Sequence, residues 1–100
     1  MKRLYLAGPM RGYPEYNYPL FNRVARKLRD EGYFVLNPAE IAPSEGSSLK
    51  DYIMVDLQWI ASHADVVAFL PGWEKSTGAG VEHALAIYLN KEIIYLETGL

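Results

Sequence analysis

Gly72 to Ala86 reads GWEKSTGAGVEHALA. It follows the apolar run Val66-Val67-Ala68-Phe69-Leu70, which reads as a buried strand, and leads into Val81 to Leu89, which reads as a helix. Between them stand Ser76, Thr77, Gly78 and Gly80. The glycines let backbone approach a ligand closely. A helix N-terminus beyond them offers unpaired N–H groups and the positive end of a dipole to an anion. Glu82 falls in the expected first turn, at the mouth of the strand. Open α/β sheets bind ligands just outside the carboxyl ends of their strands. The plainer account is that Glu82 complements the dipole and Ser76 caps the helix.

Leu4 to Ala7 is a short apolar run stopped by Gly8-Pro9, and reads as a first strand. Gly8 to Pro19, with three prolines and two glycines, is expected to be irregular. Arg11, flanked by Met10 and Gly12, is placed either to bind an anion beyond that strand or to lie solvated on the surface. Leu20 to Arg29 carries a helical stripe of Leu20, Phe21, Val24, Ala25 and Leu28, ended by Gly32. Its basic residues read as a solvated face. Tyr33 to Leu36 is the second strand, and Ala39 to Ser48 a loop. Leu49 to Ser62 is a second helix with Leu49, Ile53, Leu57 and Ile60 on one side and Ser48 as N-cap. Asp56 lies on an arc with Val55 and Trp59, where a carboxylate is costly unless paired. Ala64 to Leu70 is the third strand, with Asp65 capping its start, and Ile93 to Leu96 the fourth. Val81, Ala84, Leu85 and Tyr88 are the expected packing positions of the third helix, which Asn90 ends.

Strands alternating with helices imply a parallel sheet. The expectation is one small flavodoxin-like or Rossmann-like α/β domain over residues 1–100, in three layers. Its four-stranded parallel sheet is expected in the order 2-1-3-4, with a switch point between strands 1 and 3. Gly8, Pro9, Met10, Arg11 and Gly12 would then face Ser76, Gly78, Gly80 and Glu82 across one crevice, with Asp56 on the helix leading to strand 3.

A chain of 100 residues can bury a core without staples. Its net charge of −2 gives no general pull toward nucleic acid polymers or acidic membranes. It contains no cysteine, which excludes disulfides and thiolate metal sites, and His63 and His83 lack metal-ligand spacing. The start of the sequence does not read as a secretory leader, and no apolar run approaches the roughly 20 residues of a membrane span. A cytoplasmic protein is the expectation. Eight tyrosines is an unusual number, and Tyr5, Tyr13, Tyr16 and Tyr18 crowd the N-terminal fifth. Trp59, Trp73 and the tyrosines suggest more aromatic surface than a compact core hides, hence a homodimer or larger assembly through the helix around Trp59.

Four segments taken in order, Tyr5 to Gly12 (YLAGPMRG), Asp56 to Ile60 (DLQWI), Ala64 to Ala68 (ADVVA) and Ser76 to Glu82 (STGAGVE), resemble the nucleoside 2-deoxyribosyltransferase superfamily. The likeness is strongest to its 2′-deoxynucleoside 5′-monophosphate N-glycosidase branch and to small bacterial and phage members, and it runs from Tyr5 to about Leu96. The resemblance implies that Glu82 is a nucleophile attacking C1′ of the sugar. It implies that Asp56 holds that nucleophile or helps protonate the leaving base, and that Tyr5 lies beside the nucleophile and sugar. It implies that Gly8, Arg11, Gly12, Ser76 and Gly78 bind a 5′-phosphate, with no metal or organic cofactor. Pro9 departs from the small hydroxyl residue of the monophosphate branch and removes an N–H donor.

Three functions compete on these residues. The first is cleavage or exchange of the N-glycosidic bond of a nucleoside or its 5′-monophosphate. The second is a non-catalytic module of the same fold that binds a nucleotide or nucleotide derivative. The third is purely structural, with Glu82 a dipole partner and Arg11 surface charge. Two carboxylates at one site favour the first, since binding a phosphate needs neither.

Overall fold

The computed structural model describes residues 1–41 and 49–97, which excludes the expected cap Ser48 and most of the expected loop before it. Strands β1 (Arg3–Ala7), β2 (Phe34–Leu36), β3 (Val66–Phe69) and β4 (Glu92–Tyr95) form one sheet in the order β2-β1-β3-β4, every pairing parallel. Helices α1 (Tyr18–Asp30), α2 (Leu49–Ser62) and α3 (Thr77–Tyr88) connect them. This is the three-layer α/β fold and strand order expected from the alternation of elements.

The alternation of side chains along the two central strands divides the core in two. Leu4, Leu6, Val66, Ala68 and Leu70 face one way and bury Phe21, Val24, Ala25 and Leu28 of α1. Tyr5, Ala7, Val67 and Phe69 face the other way, against Ile60 of α2 and Ala86 of α3. Tyr5 is thus the buried polar-tipped side chain of its strand on that face. Asp65 Oδ2 accepts from the Arg3 backbone N at 2.9 Å, so it does tie the start of β3 to β1. Gly32 (φ 101) and Asn90 (φ 57) take the left-handed conformation just past α1 and α3. The carboxyl end of β2 is closed by buried Asn37, whose amide donates to Asn22 Oδ1 at 2.9 Å and accepts from Ala39 N at 3.1 Å.

Three expectations need correction. The third helix begins at Thr77, so Gly78 and Gly80 belong to its first turn and not to a loop. Ser76 caps it, its Oγ accepting from Ala79 N at 3.3 Å. Glu82 therefore sits in the second turn, beyond the reach of the dipole argument, and is buried.

The packing face of α3 also differs. Ala79, Glu82 and Ala86 turn inward, while Val81, Ala84 and Tyr88 are exposed. Small side chains let this helix lie close to the sheet, and that leaves larger apolar ones outside.

Nor do the tryptophans form the outer surface. Trp59 and Trp73 are half-buried and pack on the second core cluster. The apolar surface of α2 and α3 is instead Met54, Val55, Val81, Ile87 and Tyr88.

Candidate active site

Tyr5 and Glu82 meet in the interior. The Tyr5 hydroxyl donates to Glu82 Oε2 at 2.7 Å, joining the central strand to the second turn of α3. Asp56 of α2 is half-buried and close enough to Tyr5 and Glu82 to bear on their ionisation. The three groups named from the sequence thus form one cluster, contributed by three elements. Trp59, three residues along α2 from Asp56, packs its ring 6.2 Å from that of Tyr5 and closes the cluster on that side.

Burial governs the charge of the group. It pushes the Glu82 carboxyl from its ordinary 4.5 up to about 8, assisted by neighbouring Asp56 and opposed by the hydrogen bond from Tyr5. Burial raises Asp56 as well, again opposed by Tyr5. The Tyr5 phenol is raised well above its ordinary value, first by burial and then by the charge of the two carboxylates, so it remains a donor. Both carboxyls are thus pushed toward the protonated form, Glu82 being the more deeply buried of the two.

The loops after β1 and β3 close over the carboxyl ends of these strands and touch each other. Gly72 (φ 88) lies so near Tyr13 that a Cβ on it would stand 2.9 Å from the tyrosine hydroxyl and 3.5 Å from Pro9 Cγ. The two loops thus meet at Pro9, Tyr13 and Gly72. Their glycines have different reasons for being there. A Cβ at Gly8 would lie 2.7 Å from Leu70 Cβ, so Gly8 serves close packing of backbone on the core. A Cβ at Gly78 or Gly80 would meet nothing within 4 Å, so the space beside the first turn of α3 is open. Gly12 (φ 83) turns the chain after Arg11, and Arg11 is exposed with no hydrogen bond or ion pair among the described residues. Met10 packs partly against the α1-side core, and Pro9 is buried, its carbonyl accepting from Asn17 Nδ2 at 3.0 Å.

A second constellation went unread in the sequence. His83 stacks on Trp73 with ring centroids 4.2 Å apart, and its Nε2 lies 2.6 Å from the Tyr95 hydroxyl. Phe69 packs edge-on to the same imidazole at 5.1 Å. These rings pin the loop after β3 to α3 and β4 beside Glu82. Only the proximity of His83 to Glu82 in sequence hinted at this. Among the described residues no group of three or more His, Cys, Asp or Glu could hold a metal, and no helix is long and apolar enough to cross a membrane. A hollow lined by Val24, Lys27, Leu28, Glu31, Tyr33 and Ile94 among others lies on the α1 side, away from Tyr5, Asp56 and Glu82.

The model of a family described as "Domain of unknown function (DUF4406)" matches residues 2–95. Among solved structures, a 2-desoxiribosyltransferase from Leishmania mexicana is similar to this chain, with a TM-score of 0.75 at 19% identity over 98% of it. The match covers 65% of that enzyme, so the two share a fold over part of the longer chain. No curated protein matches the sequence.

Proposed function

We propose that this chain, which belongs to the DUF4406 domain family, cleaves or exchanges the N-glycosidic bond of a 2′-deoxynucleoside or its 5′-monophosphate. The observation that carries this reading is the buried cluster of Tyr5, Asp56 and Glu82, with the Tyr5 hydroxyl 2.7 Å from Glu82 Oε2 beneath the β1 and β3 loops. Two carboxyls near one another, in different degrees of burial, can divide nucleophile and acid between them. Fold similarity to a deoxyribosyltransferase supports the same class of chemistry.

In this mechanism Glu82 gives its proton to Asp56 and becomes the nucleophile. Its carboxylate oxygen forms a bond to C1′ while the C1′–N bond breaks and the electron pair leaves with the base. Asp56 passes its proton to the departing base. Water, or the nitrogen of a second base, then attacks C1′ and releases Glu82, with Asp56 accepting the proton of the attacking group. Tyr5 stabilises the Glu82 carboxylate when it is charged. Arg11 with the backbone of Gly8, Gly12, Ser76, Gly78 and Gly80 receives a 5′-phosphate, and so holds C1′ within attacking distance. No metal or organic cofactor takes part. The remaining expectations stand as parts of this proposal: a cytoplasmic protein acting on a small molecule, assembled as a homodimer or larger homo-oligomer.

The burial of Glu82, 5% exposed, favours a second reading in which the same crevice binds a nucleotide or nucleotide derivative without turnover. Incubation with a panel of nucleosides and 5′-monophosphates, followed by chromatography for free base, separates the two. Base release that disappears in Glu82→Gln supports the enzyme, and binding with no release from any member of the panel supports the module.

A further inference from the structure

The segment between β1 and α1 holds the least favourable backbone in the described chain. Glu15 (φ 52, ψ 31), Tyr16 (φ 53, ψ 28) and Asn17 (φ 62, ψ 14) are consecutive left-handed residues, and none is glycine. Only Asn17 is of a type that visits this region readily; for the others the Cβ crowds the carbonyl oxygen. Hydrogen bonds hold the turn in place. Tyr13 N donates to Met10 O at 3.2 Å, Tyr16 N to Tyr13 O at 3.0 Å, and Asn17 Nδ2 to Pro9 O at 3.0 Å.

Burial does not compensate for this conformation. Glu15 is exposed, Tyr16 is 61% exposed, and Tyr13 is 41% exposed. The Tyr16 ring has one ring neighbour, Tyr18, at 5.9 Å. Neither the Tyr13 nor the Tyr16 hydroxyl has a hydrogen-bond partner among the described residues. Unfavourable backbone that is held in place with little burial to offset it is a mark of ligand clamps and switch segments. Its position fits such a role. The turn leaves the carboxyl end of β1, and the Tyr13 hydroxyl reaches Gly72 beyond the end of β3. The segment therefore spans the carboxyl ends of β1 and β3, on either side of the switch point of the sheet.

We infer that Tyr13 to Asn17 is a ligand clamp, held in its strained form so that Tyr16 offers a ring face to a nucleobase and Tyr13 a hydroxyl to the sugar or phosphate. This rests on the reading of the crevice as a nucleotide site, but not on turnover there. An aromatic face accepts any base, because every base has a π face. The clamp thus adds affinity for nucleotides over inorganic phosphate without choosing among bases.

Two variants test it, with calorimetric binding of 2′-deoxynucleoside 5′-monophosphates and of inorganic phosphate, melting curves, and base release as readouts. Glu15→Gly changes no ring and removes one left-handed penalty. It should raise Tm while weakening monophosphate binding, because the turn is no longer held ready. Tyr16→Ala keeps the backbone penalty and removes the ring. It should weaken monophosphate binding by about tenfold or more, the scale of one lost stacking contact, and leave inorganic phosphate unaffected. If Glu15→Gly raises Tm and both variants bind the monophosphate as the unmutated protein does, the turn is structural and the clamp is refuted. The clamp is refuted equally if the unmutated protein binds none of the nucleotides. Both expected binding losses without base release from any form would retain the clamp and remove the enzymatic reading.

Discussion

The Tyr5 hydroxyl is the hinge of the site's electrostatics, because it donates to Glu82 Oε2 at 2.7 Å and opposes the upward push of burial on that carboxyl. Tyr5→Phe removes the donor and keeps the ring that packs near Trp59. A buried polar group left unsatisfied costs about 1–3 kcal/mol. The variant should melt at lower temperature, and its pH–rate profile for base release should move to higher pH. A profile in the same place would separate Tyr5 from the ionisation of Glu82.

The pH dependence has a defined sign. In the proposed mechanism the proton that Glu82 passes to Asp56 is the one that leaves with the base, and the folded-state value of Glu82 is raised to about 8. The singly protonated pair is then the reactive form, and kcat/KM for base release should hold up to about pH 8 and fall above it. Stability should respond at lower pH. Below about 4.5 the group is protonated in both folded and unfolded chains, and its contribution is fully present. As pH rises toward 8 the unfolded chain ionises while the folded one holds its proton, so that contribution is lost. Glu82→Gln should then be more stable than the unmutated protein at pH 8 to 9, with the difference shrinking toward pH 5. Melting curves across that range are the check, and a constant difference would contradict the raised value.

Arg11 is exposed and anchors nothing among the described residues, so Arg11→Ala should leave Tm unchanged. It should weaken a 5′-monophosphate by about 1.5–3 kcal/mol, the scale of a hydrogen bond to a charged group, and its nucleoside hardly at all. Equal losses for both ligands in parallel titrations would place the phosphate elsewhere.

Gly8 and Gly78 should respond in opposite ways to the same substitution. Gly8→Ala drives a Cβ to 2.7 Å from Leu70 Cβ, an atom fixed to backbone, and should cost about 1–3 kcal/mol as overpacking. Gly78→Ala enters open space in a helix and should stabilise by about 0.5–1 kcal/mol. It should nonetheless reduce monophosphate affinity, since the added methyl occupies the ligand's approach. Higher Tm with undiminished affinity would show that the phosphate does not pass Gly78.

The outer faces of α2 and α3 expose Val55 at 56% and Ile87 at 56%, together with Met54 and Tyr88. If these faces join copies of the chain, Val55→Glu or Ile87→Glu should lower the mass measured by light scattering while the circular dichroism spectrum is kept. A monomeric mass for the unmutated protein would dismiss the assembly.

The sheet order was legible because each apolar run is short, bounded by Gly, Pro or Asn, and separated from the next by a helix-length segment. The end of helix α2 at Ser62 was legible to the residue. The start of α3 was not, since Thr77 and two glycines resemble a loop until the Ser76 cap is seen to hold Ala79 N. Its inward face was misread for a related reason: alanines and one glutamate pack where Val81 and Tyr88 were expected. Glu82 and Asp56 could be named from their positions and Tyr5 from the resemblance, but not the buried hydrogen bond that joins Tyr5 to Glu82. The left-handed turn at Glu15–Asn17 left no trace in the sequence, because no glycine marks it.

Ala79 and Ala86 bracket Glu82 on the buried side of α3. They act as spacers whose thinness sets how far a glutamate must reach. A carboxyl on this helix meets the hydroxyl of a central strand only while the axis stays low over the sheet. Lengthening either spacer by a methylene or two would lift the helix without touching the polar groups. The Tyr5–Glu82 pair is therefore set by residues that carry no chemistry, and drift in the size of an alanine could part the pair while both of its members remained in place.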